Sequence, residues 1–159
     1  MHKHVGKHRT QVMIEYFRTL KKELILIVFL KSILVYSLTV LSLNELKLFE
    51  TQNGLLSFFI QITIPLITFK TIKNKGIEFS LKCFIISGIF ISVFSTLIRS
   101  FLLDKLLTEL IYNNIISNGT RQLIDTLTTW QRIQEFSKFT LIGILFFVII
   151  GFIIKAKKH

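Results

Sequence analysis

Four apolar stretches, at positions 24–43, 55–69, 79–98 and 139–154, fill most of this 159-residue chain, and its lysines and arginines collect on one side of them. Half of the residues are hydrophobic (51%) and mean hydropathy is +0.60, yet the net charge is +11. A soluble globule of this composition would be left with large exposed apolar patches. A bilayer reconciles the two properties. Its hydrocarbon core of about 30 Å takes about 20 apolar residues per helix. The first and third stretches meet that length, and the second and fourth must borrow polar residues from their flanks. The expected fold is therefore an all-α polytopic membrane protein with four transmembrane helices, at about 24–43, 53–69, 79–98 and 137–154. With one proline and no Gly/Ser-rich stretch, the chain reads as a single membrane domain. The first stretch is longer than the apolar region of a cleaved signal, and no small-residue cleavage site follows it. The single cysteine, Cys83, falls inside the third stretch and reads as a buried structural thiol.

Charge assigns the sides. Loops rich in Lys and Arg stay in the cytoplasm during insertion. The N-terminal segment carries Lys3, Lys7, Arg9, Arg18, Lys21 and Lys22, the second connection Lys70, Lys73, Lys75 and Lys82, and the C-terminal end Lys155, Lys157 and Lys158. The first connection holds Lys47 against Glu45 and Glu50, and in the third the acids balance the bases. Both termini and the second connection are thus expected in the cytoplasm. Arg9, Arg18, Lys21, Lys22, Lys70, Lys73 and Lys75 are candidates for binding anionic lipids, at about 1 kcal/mol per basic residue near an anionic leaflet. A cytosolic protein partner is the other occupant they suit. Nucleic acid is not, because no basic fold with stacking aromatics fits in loops this short.

Within the spans, polar and small residues stand out. Lys31 lies seven residues into the first, about 10 Å from the cytoplasmic end at 1.5 Å per residue. Its stem could snorkel most of that distance. An intramembrane charge is otherwise a functional candidate, and no acidic residue falls within any span to pair with it. The second span holds Gln61, able to bond across helices, and Pro65, which frees a carbonyl and favours a kink. Gly88, Ser92 and Thr96 recur every fourth residue in the third span, and Gly143 and Gly151 share a face of the fourth. Such faces let backbones approach closely in lipid, either inside one bundle or between subunits. Ahead of the first span, Val12, Met13, Tyr16, Phe17 and Leu20 recur at helical spacing, as in an amphipathic helix (10–22) lying among headgroups. Between the third and fourth spans, 100–136 reads as an outer helical hairpin with a break at Asn118-Gly119 and Trp130 near the interface.

Equipment for chemistry is sparse. His2, His4, His8 and His159 stand at the chain ends, and no nucleophile motif, phosphate loop or intramembrane carboxylate pair is present. No catalytic residue, metal site or cofactor is expected. The segment "ITFKTIKNKGIEFSLK", a basic turn with Gly76 leading into a small-residue-rich span, and the closing "IIKAKKH" resemble a family of uncharacterised four-span inner-membrane proteins common in Bacteroidota. The resemblance runs from about residue 55 to the end, although this chain has fewer glycines and only Pro65. It implies fold and bacterial inner-membrane location, and it transfers no functional residue. The expected function is a non-enzymatic, homo-oligomeric membrane scaffold or sensor. It would engage a cytosolic partner through its basic face, as in bacterial defence or immunity systems. One alternative is an oligomeric pore with Lys31, Ser32, Thr39, Ser42 and Gln61 lining its lumen. Another is an accessory subunit of a larger membrane complex.

Overall fold

The computed structural model describes residues 3–44, 50–112 and 129–157, with side chains described over 11–38, 56–102, 105 and 137–157. Four helices account for nearly all of it: α1 (Lys3–Asn44), α2 (Glu50–Asn74), α3 (Leu81–Tyr112) and α4 (Thr129–Ala156), with no strand among the described residues. Three stretches are long and apolar enough to cross a membrane: Leu56–Asn74, Leu81–Leu102 and Ser137–Ala156. They match the second, third and fourth expected spans to within a few residues. Both α3 and α4 run on beyond their apolar stretches. The expected hairpin bend at Asn118-Gly119 and the side chain of Trp130 lie outside the described residues.

The helices close into a ring in the order α1, α3, α4, α2, each packed chiefly on two neighbours. Along α3 and α4 the partners run in opposite order. Thr140 meets Thr96, Gly143 meets Ser92, Gly88 meets Phe147, and Gly151 meets Leu81 and Phe84. Along α1 and α3 they run in the same order, Tyr16 beside Ser87 and Ser32 beside Ser95. Leu26, Phe29, Phe59, Phe101, Leu141 and Phe152 point outward and are more than half or close to half exposed. A helix that is apolar on its outer as well as its inner face suits lipid and not water.

The turn between α2 and α3 is set by Gly76, at φ 65°. Its N–H donates to the Lys73 carbonyl (3.0 Å), and the Ile77 N–H donates back to Ile72 (3.3 Å). Those two bonds form a Schellman cap, and Ile77 completes it by packing against the cluster that contains Ile72. At the far side of the turn the Ser80 carbonyl accepts the first α3 bond, from Phe84 (2.9 Å). Below the turn, Phe79, Phe84 and Phe147 stack in sequence with centroids 5.4 and 5.2 Å apart. Cys83 is buried in this aromatic layer, as expected.

The N-terminal segment departs from expectation. Residues 10–22 are helical, but they form part of α1, and Tyr16 and Leu20 are only 3% and 1% exposed. Both belong to the apolar cluster shared with Ile72, Cys83 and Phe84, with Met13 and Phe17 packed against it. Of that stripe, Met13, Tyr16, Phe17 and Leu20 therefore pack on protein, and Val12 remains exposed. An apolar stripe at i, i+3, i+4 fits lipid or a neighbouring helix equally well. Close-packed side chains supply the dispersion contacts that decide it here.

Candidate functional site

Buried polar side chains concentrate at one level of the bundle, contributed by every helix. They are Lys31 and Ser32 from α1, Gln61 from α2, Ser92, Ser95, Thr96 and Arg99 from α3, and Thr140 from α4. Two of them are cations, Lys31 at 3% exposure and Arg99 at 8%. The Lys31 ammonium sits 3.3 Å from the Ser92 hydroxyl. It crosses the bundle axis to reach α4, where a Cβ on Gly143 would lie 2.8 Å from Nζ and 2.5 Å from Ser92 Oγ. Gly143 is thus the space in which the ammonium rests. The Arg99 guanidinium lies 4.1 Å over the Phe139 ring, within cation–π range. Lys31, Gln61, Ser95, Thr96 and Arg99 wall a cavity of about 10 Å³, room for roughly one water.

Depth distinguishes this cluster from an interfacial one. Ser92 is eleven residues past the start of α3 at Leu81, and Gln61 is thirteen before the end of α2 at Asn74. At 1.5 Å per residue, both place Lys31 roughly 16–20 Å from the basic end. The expectation of a lysine about 10 Å deep that snorkels to the surface is corrected.

Most hydroxyls here are satisfied within their own helix. Ser32 bonds the Val28 carbonyl (2.7 Å), Ser87 bonds Cys83 (2.9 Å), Thr96 bonds Ser92 (2.8 Å) and Thr68 bonds Ile64 (2.9 Å). Contacts between helices are longer: Ser32 to the Ser95 carbonyl at 3.3 Å, Thr140 to Thr96 at 3.4 Å, and the Ser87 and Tyr16 hydroxyls at 3.5 Å. At those lengths hydrogen bonding adds little. The small residues therefore serve close approach. Gly88 is the clearest case, since a Cβ there would lie 2.3 Å from Phe147 Cγ.

The small-residue set Gly88, Ser92, Thr96, Gly143 and Gly151 is brought together as one α3–α4 seam inside the chain. It is not a face open to another subunit. Similarly, Lys31, Ser32 and Gln61 point into a single bundle, not toward a lumen shared between copies, while the side chains of Thr39 and Ser42 lie outside the described residues. Pro65 is buried in an α2 that stays helical through it. The carbonyl it deprives of a partner is that of Gln61, four residues back, so backbone and side chain of Gln61 both add polarity at this level. The basic candidates Arg18, Lys21, Lys22, Lys70, Lys73 and Lys75 are all exposed. A Lys75–Glu23 ion pair ties α1 to the α2–α3 turn at that end. Arg9 lies in α1 with its side chain outside the described residues.

Arg99 escaped the reading of the sequence because it falls one residue past an apolar run ending at Ile98. The signal was nevertheless present. Ser92, Ser95, Thr96 and Arg99 follow at intervals of three, one and three, a polar stripe that leads onto the arginine. Compared with protein-family models, curated proteins and solved structures, the chain matches none.

Proposed function

We propose that this chain is a four-span membrane protein, α1 being the fourth span, that serves as a non-enzymatic scaffold or sensor at a bacterial inner membrane. Both termini and the α2–α3 turn face the cytoplasm. There the basic end engages the anionic leaflet and a cytosolic protein partner, of the kind that bacterial defence or immunity systems recruit. One observation carries this reading: among the described residues, nine exposed bases from all four helices gather at the end that holds the turn, against Lys105 and Lys138 at the other. The nine are Arg18, Lys21 and Lys22 of α1, Lys70 and Lys73 of α2 with Lys75 after it, Lys82 of α3, and Lys155 of α4 with Lys157 beyond. The opposite pattern, bases spread over both ends, would give no sidedness. The resemblance to four-span inner-membrane proteins supports fold and location alone. Self-association, if present in detergent, must use the outer apolar faces, because the Gly88 seam is occupied.

The topology is tested by placing single cysteines at Lys22, Lys73 and Lys157 in a Cys83→Ser background and labelling with a membrane-impermeant maleimide. All three should label only after the cells are opened. Labelling of any one in intact cells rules the orientation out. A photo-crosslinker at Lys73 tests the partner. Stoichiometric membrane subunits in the product, in place of a cytosolic protein, would favour an accessory subunit of a larger complex.

A further inference from the structure

Among the described residues, two open grooves of similar size on the bundle differ in charge. One, of about 310 Å³, lies between α1 and α2 and is lined by Leu34, Leu38, Phe59, Ile60 and Ile64 with no charged residue. The other, of about 370 Å³, lies between α1 and α3 and is lined by Phe17, Arg18, Lys21, Leu24, Ile25 and Phe90. Arg18 and Lys21 are one helical turn apart and so share a side of α1, with Leu24 and Ile25 on the next turn. Both cations are exposed. Phe90 lies nine residues past Leu81, about 13 Å along α3 from the basic end. Along α1 the groove therefore runs from two cations, Arg18 and Lys21, to apolar wall at Leu24 and Ile25, and on the proposed orientation that direction leads inward from the cytoplasmic end. That is the order of groups in a phospholipid, whose phosphate precedes its acyl chains.

We infer that the α1–α3 groove is a specific site for one anionic phospholipid, with its headgroup phosphate held by Arg18 and Lys21 and an acyl chain lying against Phe17, Leu24, Ile25 and Phe90. This rests on the proposed membrane orientation and sharpens it, because it turns a diffuse attraction between basic end and leaflet into a stoichiometric contact. The uncharged α1–α2 groove takes acyl chains without headgroup preference. It predicts one retained anionic lipid per chain and not two.

Native mass spectrometry of the full chain in mild detergent tests this, with phosphatidylglycerol and phosphatidylcholine of identical acyl chains as probes. The wild type should retain one phosphatidylglycerol in preference to phosphatidylcholine. Arg18→Gln with Lys21→Gln should weaken that retention roughly thirtyfold, from about 1 kcal/mol per basic residue. Ile25→Trp fills the groove without changing charge and should abolish retention as well. Lys22→Gln with Lys73→Gln removes the same charge elsewhere at the basic end and should leave retention intact. Equal loss in that control overturns the groove while leaving a diffuse basic surface, and with it the proposed orientation, in place. No preference for phosphatidylglycerol in the wild type overturns the site outright. The cysteine-labelling result is independent of all these outcomes and reports separately on the orientation.

Discussion

Lys31 and Gly88 are the two residues on which the packing is least forgiving, for opposite reasons. On the proposed topology, Lys31 brings a charge into the bilayer, where a cation near a helix centre costs about 2.5–3.5 kcal/mol on insertion scales. Against that, its described hydrogen bond is a single one to a neutral hydroxyl. Lys31→Met keeps the length of the stem and removes the charge. It should leave the unfolding midpoint in detergent unchanged or raise it by the equivalent of about 1–3 kcal/mol, as replacements of buried charge by apolar groups often do. A drop of that size would mean instead that the ammonium holds the four helices together. Gly88 fails by shape. Its added Cβ meets the root of Phe147, Cγ at 2.3 Å and Cβ at 2.5 Å, and not a flexible tip. Gly88→Ala should therefore cost about 1–3 kcal/mol in overpacking. Denaturant titration of the purified protein reads both.

Among the elements, α3 is the one whose role the sequence disclosed most fully. Its apolar length announced a span, and its four-residue spacing of Gly88, Ser92 and Thr96 announced close packing. Which surface it packs on was not legible, since a small-residue face looks alike whether its partner lies in the same chain or another. The turn before it was legible too, because Gly76 followed by apolar Ile77 is what a Schellman cap needs. Gly76→Ala should cost about 1–2 kcal/mol through the left-handed φ alone, as nothing lies within 4 Å of the added methyl. Gly76→Asn should cost less, and thermal unfolding in detergent separates the two. What α1 packs on was the hidden quantity: its N-terminal stripe could have served headgroups or helices equally, and in the bundle Tyr16 and Leu20 are buried against protein. Arg99 was lost for a related reason: a span boundary drawn at the last apolar residue hides a polar stripe that crosses it.

For the molecule as a whole, the seam between α3 and α4 predicts what bulky substitution will do. Gly88→Leu with Ser92→Leu should deplete the folded, soluble chain in detergent, with no shift from a larger to a smaller assembly. Size-exclusion chromatography with light scattering distinguishes these. A clean step down in mass with the helicity retained would put the seam between subunits after all. In the ring, α1 and α2 are neighbours, as are α3 and α4, so the bundle consists of two consecutive helical pairs packed face to face.

That packing has a consequence in time. A ribosome delivers residues in order, so on the proposed topology Lys31 reaches the bilayer before Ser92 or Gly143 has been synthesised. The first helical pair must then wait, either with a bare ammonium in lipid or with α1 held short of its final depth, until the second pair supplies the hydroxyl and the vacant methyl position. Chains arrested after residue 76 should leave Lys22→Cys more readily modified by a water-soluble maleimide in open vesicles than the complete protein does. The buried lysine would in that case act as a checkpoint in biosynthesis, letting α1 settle only once all four helices are present.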